Sequence, residues 1–271
     1  MWYLFVVGLS DWWKRQTQKQ PSGRAPSATP RHVLIFVPEG TPDPTRYGFA
    51  PVGNGEERAA PLSWIPKESS PFGVPVLDCR SITRGFVSTA ESQEQLETFR
   101  SFRADGSGAH VRDKHPEGAR GLPCHLRFDR IGELPQGRIF TASRLEYKWD
   151  VTYHGSDLIF SRSWTGVVEY RASLAIEASL AMVTSIETAV APSENSENDR
   201  LDILTVDFLV RTYLLREVAP FPLPDELATP EATHETNRLA GMLALKPLGC
   251  DARFGCPASV LWAHRNPEVQ A

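Results

Sequence analysis

The sequence predicts an α+β fold, a mostly antiparallel β-sheet with a meander over about 144–190, flanked by helices at about 89–103 and 200–216. Three observations predict it. Leu145, Tyr147, Trp149, Val151 and Tyr153 alternate with Glu146, Lys148, Asp150, Thr152 and His154, the period of a strand with one aromatic face. Gly155-Ser156 and Thr165-Gly166 are tight-turn signals between apolar runs, because glycine accepts positive φ without strain. Leu96, Phe99 and Phe102 recur every third residue, and Leu201–Arg216 is long and apolar enough for a largely buried helix.

The chain divides into three parts. Residues 1–16 form an amphipathic N-terminal segment carrying Trp2, Trp12 and Trp13, which either docks on the protein or contacts a membrane interface. The apolar run Met1–Leu9 has no positive residue before it and no A-x-A site after it, and it is far short of a membrane span. Residues 17–31, rich in Pro, Ser, Gly and Gln, read as a flexible linker. Lys14, Arg15, Lys19, Arg24 and Arg31 outweigh Asp11 there, as in a solvated basic arm or an anionic tether. Residues 32–271 read as one α+β domain.

Within that domain, His32–Val37 reads as a strand and Pro38–Phe72 as an irregular excursion packed by Phe49, Leu62, Trp64 and Ile65. Val74–Asp78 is a second short strand. Ser88-Thr89-Ala90-Glu91 fits a capping box, in which hydroxyl and carboxylate satisfy reciprocal backbone donors, so a helix is expected to start there. Ala104–Gly121 is a polar loop and Leu122–Phe128 a further strand. The meander then runs through Leu145–Tyr153, Leu158–Trp164, Val167–Ser173 and Met182–Val190. After the acidic loop Pro192–Asp199 come the Leu201–Arg216 helix and the Pro-rich stretch Pro220–Pro230. A short helix near Glu231–Leu243 and a small β or loop tail complete the chain.

Composition narrows the function classes. The net charge of −4 advertises no basic surface, so no nucleic-acid partner is expected. Cys79, Cys124, Cys250 and Cys256 are too sparse for a disulfide scaffold, and reduced thiols in a cytoplasm are the default. Cys250 and Cys256 could close a small loop in an oxidising compartment.

Register arithmetic makes the meander informative. If both turns hold two residues, His154 pairs with Asp157, Trp149 lies opposite Arg162, Tyr147 opposite Trp164, and Glu169 opposite Arg162 on its other side. Tyr147, Trp149, Arg162, Trp164 and Glu169 would then share one face. The structural reading is a cation–π contact plus a cross-strand ion pair. The functional reading is a recognition surface for a partner or an anionic ligand. Trp149 to Tyr170, centred on Arg162-Ser163-Trp164-Thr165-Gly166, resembles a hairpin of uncharacterised bacterial proteins. The resemblance covers under a tenth of the chain. It implies a bacterial, cytoplasmic setting and no particular activity.

Other motifs were weighed against plainer readings. His110, His115, Cys124 and His125 are zinc-ligand types, yet they lack a C-x-x-C knuckle, and Cys124 and His125 would point to opposite faces of one strand; loop histidines and a buried thiol are the plainer account. The run from Cys79 to Arg84 follows a strand but is one residue short of the gap a phosphate-cradling cysteine loop needs. His234-Glu235 lacks the second histidine of a metalloprotease helix, and no G-x-S-x-G, P-loop or G-x-G-x-x-G string occurs, so no cofactor is expected. The sequence therefore points to a non-catalytic binding or interaction module with a protein partner. The alternatives are a hydrolase or transferase meeting an anionic substrate through Arg162, and a peripheral membrane protein held by residues 1–16.

Overall fold

The computed structural model describes residues 62–84, 86, 92–129, 134–177, 180–189, 196–228, 237, 240–241, 244 and 247–267. The fold is α+β and mostly sheet, as the alternating segments require. Strands β3 (Arg120–Asp129), β4 (Gly137–Phe140), β5 (Trp149–His154), β6 (Asp157–Arg162), β7 (Val168–Glu177) and β8 (Leu180–Thr188) form an antiparallel sheet. Its order is β3-β8-β7-β6-β5-β4. Strands β1 (Ser63–Ile65), β2 (Val76–Asp78), β9 (Phe221–Leu223) and β10 (Phe254–Pro257) form a mixed sheet, ordered β1-β2-β10-β9 with β9 and β10 parallel. Among the described residues they are accompanied by helices α1 (Arg80–Thr83), α2 (Gln93–Ala104), α3 (Ser196–Tyr213) and α4 (Ala258–Arg265).

Local chemistry explains the elements. In β3, Leu122, Cys124, Leu126 and Phe128 are buried while the intervening residues are exposed, a clean period of two. At the β5–β6 hairpin, Gly155 sits at φ 61° and His154 pairs with Asp157, so Gly155-Ser156 is the two-residue turn its glycine allows. Helix α3 starts with Glu197 and Asp199 in its first turn, where they complement the helix dipole. Its Phe208, Leu209 and Tyr213 enter one core cluster with Trp149, Val151 and Phe160 of the large sheet and with Leu77 and Phe221 of the small one. That shared core joins the two sheets.

The polar face of the meander is also covered. Asp150, Thr152 and Ser161 are almost wholly buried, and residues 105–119 after α2 form a strap over this face, with Gly108 against the Thr152 side chain. There Val111 packs with Ile159 and Val168, and His110 stacks on Phe102 with centroids 4.3 Å apart. Alternation in the sequence correctly separates the two faces. It does not reveal that a second layer covers the polar one.

Several boundaries differ from expectation. Helix α2 starts at Gln93, capped by Ser92, whose hydroxyl accepts from the Gln95 amide at 3.1 Å. Ser92 has glutamine three residues on, as Ser88 has glutamate, so the same box recurs four residues later. Leu145-Glu146 is a turn, closed by Tyr147 N–H donating to the Arg144 carbonyl, and the strand begins only at Trp149. Ser63–Ile65 is a strand instead of irregular chain, and the C-terminal tail contains α4. Residues 1–16 and 17–31, His32–Val37 and Ser88–Glu91 lie outside the described residues. Asn237, Ala240, Gly241 and Ala244 are helical, within the expected short helix or one residue past it. Among the described residues no helix is long and apolar enough to cross a membrane.

Candidate functional site

The meander cluster was the first candidate. Trp149 lies opposite Arg162, and the guanidinium carbon sits 4.1 Å from the indole centroid. The second turn is longer than two residues. Ser163 to Gly166 separate Arg162 from Val167, whose carbonyl accepts from Arg162 N–H at 2.8 Å. That shift would carry Glu169 away from Arg162. A β-bulge follows, with Ser161 opposite Val168 but Phe160 opposite Tyr170. Glu169, the extra residue, is thereby re-aimed, and its carboxylate accepts from Arg162 Nε at 3.1 Å. Arg162 Nη1 also donates to the Pro247 carbonyl at 2.7 Å.

Burial decides what this cluster offers. Trp149 is 1% and Tyr147 4% exposed. Tyr147 and Trp164 are not ladder partners as the two-residue turn required. They meet instead in a small cluster with Phe99 and Ala142, and Trp164 Nε1 donates to the Leu145 carbonyl. Lys148 lies 4.0 Å from the Trp164 ring, and burial lowers its pKa to about 8. Tyr147 and Trp149 thus belong to the interior, and Arg162 is held by three neighbours.

The zinc-type residues have separate surroundings. His110 stacks on Phe102, His115 pairs with Glu187 at 2.6 Å, Cys124 Sγ donates to the Val183 carbonyl, and His125 is exposed. No group of three metal-ligating side chains occurs among the described residues. All four thiols are free, and burial pushes Cys79, Cys250 and Cys256 up to about 12 and Cys124 to about 11. Thiols held neutral this firmly are poor nucleophiles.

A different place gathers ionisable groups round a hollow. A cavity of about 50 Å³ lies at the end of α3, with Phe140, Tyr147 and Phe208 among its walls and Tyr213, Asp251, Arg216 and Arg253 supplying polar groups. Tyr213 donates to Asp251 at 2.6 Å, and both are buried. Burial raises the Asp251 pKa, and burial followed by the Asp251 charge raises that of Tyr213. Burial also pushes Tyr147 to about 12, with Cys250 and Asp251 adding to the shift.

Helix termination delivers Arg216 to this cavity. After α3, Glu217 N–H donates to the Arg211 carbonyl at 2.9 Å, a bond that closes a seven-residue chain reversal. Arg216 occupies its left-handed position at φ 57°, the one non-glycine residue with positive φ among the described residues. Glycine is usual there, and a side chain costs about 1 kcal/mol. Arg216 is exposed and stacks 5.0 Å from Phe140. Neither its guanidinium nor that of Arg253 makes a hydrogen bond or ion pair among the described residues. No short motif announces this site, because its members come from residues 140, 147, 208–219 and 251–253. The only local hint is the absence of glycine after a long helix.

Fold and site together define an α+β protein with a small arginine-rimmed cavity on a closed core. Comparison with protein-family models, with curated proteins and with solved structures finds no significant match.

Proposed function

We propose that this protein is a non-catalytic binding module of the bacterial cytoplasm, which receives an acidic side chain of a protein partner between Arg216 and Arg253. The observation that carries the proposal is an arginine at a strained left-handed position where glycine would serve the fold, its guanidinium making no hydrogen bond among the described residues while its charge acts on Asp251 in the cavity. The cavity size supports a side-chain guest. About 50 Å³ suits one carboxylate and is far below the roughly 300 Å³ of pockets that enclose whole small molecules. Guanidinium planes match carboxylates geometrically, and the aromatic walls lower the local dielectric.

In the cavity wall Tyr147 is held neutral at about 12, far from the range useful for proton transfer near pH 7. A substrate-binding role for Arg162 would have to displace Glu169, Pro247 and the Trp149 ring. An apolar docking face has little support either, since Val167 is the one large hydrophobic side chain classed as exposed among the described residues. The membrane alternative rests on residues 1–16, which liposome co-sedimentation of full-length and 17–271 chains tests.

Titration with hexaglutamate against the uncharged hexaglutamine tests the proposal. Hexaglutamate is expected to bind the wild type, more weakly as salt rises. Arg216→Gly should keep or slightly raise stability, because it relieves the left-handed strain, while losing about tenfold or more in affinity. Equal binding by wild type and Arg216→Gly would overturn it.

A further inference from the structure

The layer between the large sheet and the strap after α2 is short of hydrogen-bond acceptors. Arg103 Nη2, Arg138 Nε and Nη2, Thr152 Oγ1 and Nε2 of His154 are buried without a bonded partner, while His110 Nδ1 has Asp105 at 3.9 Å. Buried polar groups in native proteins are nearly always satisfied, so this concentration asks for a missing partner. The three guanidinium nitrogens can only donate. The Arg138 side chain is 3% exposed. Its remaining nitrogen donates to the Phe102 carbonyl, and its nearest carboxylate oxygen, on Asp150, stays 3.9 Å away. Asp150 itself accepts from the Ala142 amide at 2.7 Å. Arg103 and Arg138 both act on Asp150, and Arg138 also acts on Asp105 at the edge of the layer.

Two of these groups are neighbours, Arg138 and Thr152 being paired across β4 and β5. Gly108, left-handed at φ 64°, lies directly over the Thr152 side chain: a β-carbon there would come within 2.6 Å of it. The strap is tied down by Arg171, which donates to the carbonyls of Arg112 and Lys114, and by His115 on Glu187. Beside it opens a polar cleft of about 570 Å³, bordered by Ser107, Asp113, Gly137, His154, Asp157 and Arg171. Lifting the Ser107–Gly108 end of the strap would join that cleft to the unpartnered donors.

We infer that this layer is a binding site for a small oxyanion of the phosphate or sulfate type, reached from the polar cleft when the strap lifts. It lies apart from the Arg216 cavity and stands or falls independently of it. A tetrahedral oxyanion supplies the acceptors that the guanidinium nitrogens and the Thr152 hydroxyl lack.

Melting temperature and amide exchange, measured in inorganic phosphate against sodium chloride of equal ionic strength, test the inference. Phosphate should raise the melting temperature of the wild type and of Arg216→Gly alike, and should slow exchange over residues 105–111. Arg138→Met should lose the rise. Thr152→Val provides a second variant that removes an unpartnered hydroxyl at nearly constant volume, so folding should survive, and its phosphate dependence should weaken about tenfold or more. Absence of a phosphate-specific rise in the wild type overturns the inference. A rise that persists undiminished in Thr152→Val overturns it too, because the anion then binds elsewhere.

Discussion

Arg162 permits a quantitative test of how the meander is held together. Arg162→Ala removes the ion pair to Glu169, the bond to the Pro247 carbonyl and the stack on Trp149. Both partners of the pair have side chains only 15% exposed, so solvent screens it weakly. A hydrogen bond from a charged donor contributes about 1.5–3 kcal/mol, and breaking a largely buried pair by removing one partner costs about 3–5 kcal/mol. Arg162→Ala should therefore cost about 3–5 kcal/mol. Glu169→Ala leaves the Pro247 bond and the indole contact intact and should cost less, about 1–3 kcal/mol. The double variant should lose less than the sum, with a coupling of about 1–2 kcal/mol. Urea unfolding of the four proteins, followed by tryptophan fluorescence and by circular dichroism, measures each quantity. Strict additivity, or an Arg162→Ala loss under about 0.5 kcal/mol, would show that the bulge at Glu169 does not build a structural clamp.

Three further outcomes follow from burial. Phe208, 1% exposed at the contact of α3 with both sheets, should cost about 3–5 kcal/mol on truncation to alanine, and a loss under about 1 kcal/mol in urea unfolding would contradict its place in the core. Burial raises Asp202 from 3.8 to about 6, opposed by hydrogen bonds from Tyr170 and Thr188. The sign follows from linkage: stability from the Asp202 proton is fully present below 3.8 and is lost as pH rises through about 6, an effect on the order of 3 kcal/mol. Asp202→Asn should lack this component, so identical pH profiles for variant and wild type between pH 4 and 8 (roughly the window spanning both values) would refute it. Folded protein at pH 8 should react with iodoacetamide far more slowly than free cysteine, because thiols near 12 are almost entirely protonated, and rapid alkylation of Cys79 would restore a nucleophilic reading.

Sequence and structure agree where one physical constraint acts alone. The β5–β6 hairpin was legible because Gly155 can adopt positive φ and the flanking residues alternate strictly. Helix α3 was legible from its length and apolar content, although it starts before Leu201. The second turn was misread because Thr165-Gly166 satisfies a two-residue hairpin equally well. Gly166 does sit at φ 64°, but as the last residue of a four-residue loop, with its amide bonded back to the Arg162 carbonyl. Two departures from ideal register, the longer loop and the bulge, then bring Arg162 and Glu169 together by a route that pairing arithmetic does not contain.

The sites were less legible because they depend on tertiary packing. Asp150 and Thr152 look like solvent-facing strand residues until the strap covers their face of the sheet. The aromatic face carrying Tyr147 and Trp149 reads equally well as a recognition surface or as core, and the packing of α3 on Trp149 and of Phe99 from α2 on Tyr147 decides for core. Arg216 carries no local signal of its left-handed conformation, which is imposed by the turn linking α3 to Glu217 and matters only because Asp251 and Arg253 return beside it.

The most direct measurement of the central claim is a crystal structure of the protein with hexaglutamate. A glutamate carboxylate should lie between the Arg216 and Arg253 guanidiniums, within hydrogen-bond distance of both, with its methylene groups against Phe140. Peptide density on another surface, with Arg216 and Arg253 making no contact to it, would contradict the assignment of this cavity as the binding site.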